Sequence, residues 1–237
     1  MLPQRIRSTF ATFASNTLGA LNLDYPAFGV ISIAQWARFA RWCKVHPVDQ
    51  PRNFKQFKDR TSLYDSVIRN ESLDSQPISY LEFGVYKGES IRLWMSKISN
   101  PDSRFVGFDT FTGLPERWRR SEPKGWFNAD GVIPDVKDGR ASFEAGLFQD
   151  TVPAFLKRTD LSRRLVFNMD ADLFTSTFYV LATFALHLKP GDIFFFDEFS
   201  CPLDEYRAFD DFIRCFRLEY EVLGATPGYT RVCVKML

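Results

Sequence analysis

Two strand ends in this sequence carry residues placed for ligand chemistry. Glu82, Gly84 and Gly88 close the run Tyr80-Leu81-Glu82-Phe83-Gly84-Val85-Tyr86-Lys87-Gly88-Glu89-Ser90, and Asp109 closes Phe105-Val106-Gly107-Phe108-Asp109. An acidic residue followed by spaced glycines lets the backbone approach a ligand closely, and an acid at the end of the next strand can accept hydrogen bonds from ribose hydroxyls. The spacing Glu-x-Gly-x-x-x-Gly departs from the dinucleotide pattern Gly-x-Gly-x-x-Gly, so a pyrophosphate is not the first expectation. It suits S-adenosylmethionine, with the amino-acid tail at the glycine turn and the ribose at Asp109. Val85, Tyr86 and Ser90 share that turn, and Thr110 and Phe111 follow Asp109, so all five join the candidate cofactor set.

A second group consists of carboxylates. Asp170 follows the apolar run Leu165-Val166-Phe167-Asn168-Met169, and Asp197-Glu198 follow Ile193-Phe194-Phe195-Phe196. In a parallel sheet both positions fall on the ligand-binding edge as neighbours. Three oxygen donors there suit Mg²⁺, Mn²⁺ or Ca²⁺ rather than zinc. Such a cation can stabilise the alkoxide character that develops when a hydroxyl accepts a methyl group. The plainer alternatives are solvated loop carboxylates at Asp197-Glu198, and a cap or an orienting role for Asp172 at a helix starting near Thr175. Between the second and third strands, Arg117 to Lys137 carries few helix or strand signals but contains Trp118, Arg119, Trp126 and Phe127. Long ordered loops of this kind often cover binding sites. These four residues are the acceptor candidates: Trp rings can cover a sugar's apolar face, and Arg119 or Arg120 can hold a phosphate or carboxylate. The plainer alternative is a surface loop anchored by two buried aromatics.

The elements that must position these residues alternate along the chain. Strands are predicted at 79–84, 105–109, 140–144, 164–169 and 192–197, with helices near 88–98, 150–158, 175–188 and 203–217. Tyr220-Glu221-Val222-Leu223, the turn Thr226-Pro227-Gly228 and Thr230 to Lys235 form a terminal hairpin. The expected fold is α/β: a doubly wound, mostly parallel seven-stranded sheet with an antiparallel C-terminal hairpin and a helical N-terminal segment. The expected division is a helical extension over 1–75 and a ligand-binding domain over 76–237. Within the extension, Phe28 to Val45 has apolar residues at helical spacing, which fits a helix packed on the main domain, a membrane-surface helix or a dimerisation helix.

Composition narrows the function classes. Across 237 residues, 30 Lys+Arg against 29 Asp+Glu leave +1, so no global field favours nucleic acid or an anionic membrane. No segment reaches the ~20 apolar residues of a membrane span. Cys43, Cys201, Cys215 and Cys233 show no Cys-x-x-Cys spacing, and neither His46 nor His187 stands at a zinc-ligand spacing from them, which fits reduced thiols in a cytoplasmic protein.

Five stretches taken in order resemble one family. Phe108 to Glu116, Phe148 to Pro153, Asp170 to Thr177, Lys189 to Asp192 and Phe196 to Phe199, on this glycine-and-acid frame, are similar to the macrocin-type sugar O-methyltransferases, a group of class I S-adenosylmethionine-dependent enzymes. The resemblance covers roughly residues 78–237. It implies methylation of a hydroxyl on a sugar or glycosylated small molecule, with Phe111 and the turn Gly146 to Phe148 around the adenosine. It also implies a divalent ion, Mg²⁺ or a relative, held by Asp170, Asp197 and Glu198, with Asp170 as general base. The relatives carry Asp or Asn where this chain has Glu198. A homo-oligomer with residues 1–75 at the interface is implied as well. Two further readings fit the residues: a metal-independent methyltransferase acting on another nucleophile, and a catalytically silent cofactor-binding partner subunit.

Overall fold

The computed structural model describes residues 24–47 and 56–237. Its centre is built from strands whose apolar residues point both ways. In β1 (Ile78–Phe83) all six residues are buried, and in β5 (Ile193–Phe196) all four are. Successive side chains alternate between sheet faces. One face carries Ile78, Tyr80, Val166, Ile193 and Phe195, and the other carries Leu81, Phe83, Phe167, Phe194 and Phe196. Such continuous apolar runs are what strands covered on both faces require.

β1 lies between β2 (Arg104–Asp109) and β4 (Arg164–Met169). The full order, with β3 (Ala141–Ala145), β6 (Tyr220–Ala225) and β7 (Val232–Met236), is β3-β2-β1-β4-β5-β7-β6. The first five strands are parallel, and β7 is inserted antiparallel between β5 and β6. This is the expected seven-stranded sheet with its terminal hairpin. Strand order reverses between β1 and β4, so the crevice at their carboxyl ends is the topological switch point where ligands of such sheets bind.

Helices cover both faces. On one side α1 (Asp24–Val45), α4 (Phe148–Arg158), α5 (Phe174–Phe184) and α6 (Glu205–Phe216) pack against a sheet face lined with phenylalanine, including the stacked pair Phe167–Phe194 at 4.3 Å. On the other lie α2 (Arg60–Asn70) and α3 (Glu89–Lys97), whose Leu63, Tyr64, Val67, Ile91 and Trp94 meet Tyr80, Phe105 and Phe195. The predicted helix over 175–188 is shorter: it ends at Phe184 and passes into a 3-10 turn, Ala185–His187.

The helical N-terminal segment is joined to the rest of the domain by side-chain packing and by backbone hydrogen bonding. In α1, Phe39 and Trp42 are buried against Phe199, Tyr206 and Tyr229, whereas Val30, Ile33 and Trp36 remain exposed. Ahead of α2 the Phe57 amide donates to the Ala225 carbonyl at the end of β6 (2.9 Å). Asp59 then caps α2, accepting from the Ser62 amide while the Ser62 hydroxyl accepts from the Asp59 amide. This reciprocal capping fixes where the first residue of the helix, Arg60, projects.

Candidate active site

The turn after β1 is shaped by what Gly84 lacks. Its φ is +92°, and a Cβ there would stand 1.8 Å from the Asp170 carbonyl oxygen on the neighbouring strand. Two strand ends and a turn thus close to a distance that only glycine permits.

Asp109 holds the turn from the other side. Its Oδ2 accepts from the Val85 and Tyr86 amides, each at 2.7 Å, and its Oδ1 accepts from the Phe111 amide at 2.7 Å. The sequence pattern assigns this acid to ribose hydroxyls; in the structure it is first a latch that joins the ends of β1 and β2. Asp109→Ala should therefore lower unfolding free energy by about 2–3 kcal/mol in urea titrations, since three amides lose a charged acceptor.

One cavity opens at the switch point. It is lined by Gly84, Val85, Tyr86, Ser90, Asp109, Thr110, Phe127, Phe148, Asp170 and Asp172, with Arg60 at its edge, among others. Of the sequence-derived cofactor set, Glu82, Gly88, Phe111 and Gly146 lie outside its wall. Phe111 is buried against Phe143, with its own φ at +56°. Glu82 sits beneath the glycine turn, on the α2–α3 face of the sheet, where the Tyr80 hydroxyl donates to its Oε2 (2.5 Å) and its Oε1 has no partner among the described residues.

Burial pushes the Glu82 carboxyl up from 4.5 to about 8, against the lowering effect of the Tyr80 hydrogen bond. The folded state therefore holds a proton that the unfolded chain releases. That contribution to stability is fully present below the unfolded value of 4.5 and is lost as pH rises toward about 8. Glu82→Gln should flatten the dependence of urea stability on pH between those limits. An unchanged slope would show that Glu82 is ionised in the folded protein.

The cavity floor is acidic. Burial, then the charges of Asp197 and Asp172, push the Asp170 carboxyl well above its ordinary range. Burial, then Glu198 and Asp197, push Asp172 up to about 7. Asp172 does not cap α5: Leu173 is the cap residue, no side chain bonds to the helix end, and Asp172 itself stands at φ +59°. A left-handed residue at this point turns its side chain into the cavity, a consequence that helix-start signals do not reveal.

Asp197 and Glu198 lie behind the floor rather than on it. Asp197 is gripped by Arg231, which donates from Nε to Oδ1 (2.5 Å) and from Nη2 to Oδ2 (3.0 Å). The register explains the pair, because Phe196 of β5 faces Val232 of β7 and their outer neighbours are Asp197 and Arg231. Glu198 accepts from the Cys201 thiol (3.6 Å), and its amide donates to Glu205 (2.9 Å). Among the described residues no three His, Cys, Asp or Glu side chains are grouped to hold a metal ion. With both Asp197 oxygens on a guanidinium, the set Asp170, Asp197 and Glu198 does not fit a divalent ion as it stands.

The acceptor loop has neither helix nor strand over 117–137 and is tied down at its start. Glu116 bonds Thr175 on α5, the Trp118 indole donates to Asp204 (3.1 Å), and Arg119 donates to the Cys201 thiol (2.8 Å) while covering the Trp118 ring at 3.8 Å. Trp118 and Arg119 are therefore anchors facing α6. Trp126 and Phe127 are 46% and 43% exposed, and Phe127 meets Tyr86 at 5.8 Å on the cavity rim.

No family model matches the chain, and no curated protein matches it significantly by sequence. Solved structures do. The calicheamicin methyltransferase CalS11 is 23% identical, with a TM-score of 0.57 over 75% of this chain and 80% of its own. The O-methyltransferase NovP is 21% identical, with a TM-score of 0.57 over 74% and 76%. The chain has the methyltransferase fold. CmcI with Mg and SAM shares it at 19% identity, with a TM-score of 0.53 over 84% of each chain.

On this methyltransferase fold, Arg60 and Asp172 are among the cavity residues that sequence reasoning did not assign. Arg60 carries no motif and arrives from a segment far from the glycine turn. Asp172 had a signal, its place two residues after Asp170, but its backbone conformation was hidden. No helix among the described residues is long and apolar enough to cross a membrane.

Proposed function

We propose that this protein is an S-adenosylmethionine-dependent O-methyltransferase acting on a hydroxyl of a sugar or glycosylated small molecule. The observation that carries this reading is the cavity at the switch point, bounded by a glycine turn without side-chain bulk, the Asp109 latch and an acidic floor. The residues present fit the cofactor: Gly84 leaves room for its tail, Asp109 and Thr110 flank the ribose position, and Leu147 and Phe148 offer an apolar wall for a base. When bound, S-adenosylmethionine supplies an electrophilic methyl group whose carbon–sulfur bond breaks as the acceptor oxygen bonds to carbon.

The chain's own task is to orient the acceptor and take its proton. Asp170 is placed to accept that proton, with Asp172 beside it on the same wall. Once ionised, the acidic floor also complements a cationic sulfonium electrostatically. Trp126 and Phe127 offer exposed ring surface for the acceptor at the rim. No step is routed through a divalent ion, because Arg231 occupies Asp197. The exposed Val30, Ile33 and Trp36 of α1 support a homo-oligomer that covers them.

A general base must be ionised to act, and both floor carboxyls have raised values. Turnover should rise with pH above the ordinary carboxylate range, as Asp170, held up by burial and by Asp197 and Asp172, ionises. Asp172→Asn removes a negative neighbour of Asp170, so the acidic limb of the kcat/KM profile should move to lower pH; an unmoved limb would remove Asp172 from the reaction.

Isothermal titration with S-adenosylhomocysteine tests the cofactor class. Release of S-adenosylhomocysteine on incubation with S-adenosylmethionine and a panel of sugar nucleotides tests the reaction. TDP-rhamnose is a suitable first member, since CalS11 is described as its 3′-O-methyltransferase. Binding with turnover on at least one saccharide supports the proposal; no binding would refute it.

A further inference from the structure

Arg60 is a cation at the edge of the cavity, near enough to Asp170 for its charge to favour the ionised carboxyl. It is the first residue of α2, on the segment pinned by Phe57 to Ala225 and by the Asp59–Ser62 capping box. Its side chain is 27% exposed; one Nη1 hydrogen bond reaches the buried Ser90 hydroxyl (3.0 Å), and the same nitrogen stands 4.0 Å from Asp197 Oδ1. Asp197 is already engaged by Arg231, so among the described residues the remaining Arg60 N–H groups have no hydrogen-bond partner. A guanidinium held this way, with donors to spare and open to a cavity, is suited to a carboxylate or phosphate.

The order of the strands says which. Across the sheet, Leu147 and Phe148 follow β3, Asp109 ends β2, Gly84 follows β1 and Asp170 follows β4. A cofactor with its base at Leu147–Phe148 and its ribose at Asp109 extends its remaining part over Gly84 and toward Ser90. Arg60 stands at that end, on Ser90. The tail of S-adenosylmethionine is a zwitterion. Its ammonium and the sulfonium suit the acidic floor, but its carboxylate would be repelled by Asp170 and Asp172 without a counter-charge.

Resting on the reading given above, we propose that Arg60, delivered by the N-terminal helical segment, binds the α-carboxylate of the cofactor's amino-acid tail and so makes the site select amino-acid-bearing sulfonium compounds. The extension over 1–75 is then part of the cofactor site and not only a cover.

The test compares S-adenosylhomocysteine with its decarboxylated analogue, which keeps the ammonium but lacks the carboxylate, by isothermal titration against full-length protein. The wild type should prefer S-adenosylhomocysteine by at least about 10-fold, as expected for a charge-assisted pair. Arg60→Gln should abolish that preference, weakening S-adenosylhomocysteine about 10- to 100-fold while the analogue binds unchanged or slightly tighter. Arg60→Lys should recover part of it. Retained binding of the analogue shows that the variant is folded. Equal losses for both ligands, or a preference that survives in Arg60→Gln, would overturn the assignment alone. A wild type that binds neither ligand would overturn the methyltransferase reading and the assignment with it.

Discussion

Gly84→Ala is expected to remove measurable S-adenosylhomocysteine binding. The added methyl would meet the Asp170 carbonyl oxygen at 1.8 Å and its carbon at 2.7 Å, both backbone atoms that no rotamer change can withdraw. The Asp170 amide donates to the Phe83 carbonyl at the same point (2.9 Å), so relief requires parting β1 from β4 at the cavity floor. A loss of more than about 100-fold in affinity, equivalent to roughly 2.7 kcal/mol, should accompany a fall in folding stability of similar size. Gly125→Ala separates the two causes. Gly125 has nearly the same backbone angle, φ +84° against +92°, yet nothing stands within 4 Å of a Cβ built there. That variant should cost only about 1 kcal/mol of backbone strain and leave binding intact. If both variants behaved alike, backbone conformation and not the crowding against Asp170 would govern the turn.

Arg231→Met should be the second most damaging change and should alter what the protein binds. The guanidinium grips a mostly buried carboxylate with two hydrogen bonds, whereas Arg60 makes only a 4.0 Å ion pair with it. Losing its two hydrogen bonds leaves Asp197 beside Asp170 and Glu205 with only the Arg60 ion pair, at a cost of up to about 3 kcal/mol. With its oxygens free, Asp197 could join Asp170 and Glu198 as an oxygen-donor set for a hard cation. The variant should therefore gain melting temperature when Mg²⁺ is added, whereas the wild type should not, and wild-type turnover should survive chelation. A saturable Mg²⁺ heat in the wild type, lost in Asp197→Asn, would show that the ion displaces Arg231 in solution.

Much of the frame was legible in the sequence because strand patterns are local. Ile193 to Phe196 and Leu165 to Met169 read as doubly covered strands without reference to anything else, and their acidic ends followed at once. The pairing of Asp197 with Arg231 was not legible. It depends on the antiparallel register of β7 against β5, which brings together residues 34 positions apart. Arg60 was hidden for the same reason, reaching Ser90 across 30 positions through a capped helix on a different segment. Asp109 was found, but its bonds to three amides of its own chain were not legible. Asp172 was read by its neighbours as a helix start, where backbone handedness decided otherwise.

The ties of the loop over 116–119 run to helices rather than to strands. Glu116 meets α5, and Trp118 and Arg119 meet the start of α6 and the turn before it. Most of the cofactor cavity belongs to the sheet ends, to Arg60 of α2 and to the first turns of α3, α4 and α5, while Gly113, Leu114, Pro115 and Phe127 of the loop complete its wall. The loop is in effect a cassette clipped onto one side of a fixed platform. A lineage could exchange its exposed part around Trp126, and with it the acceptor, while keeping the strand ends that receive the donor ligand.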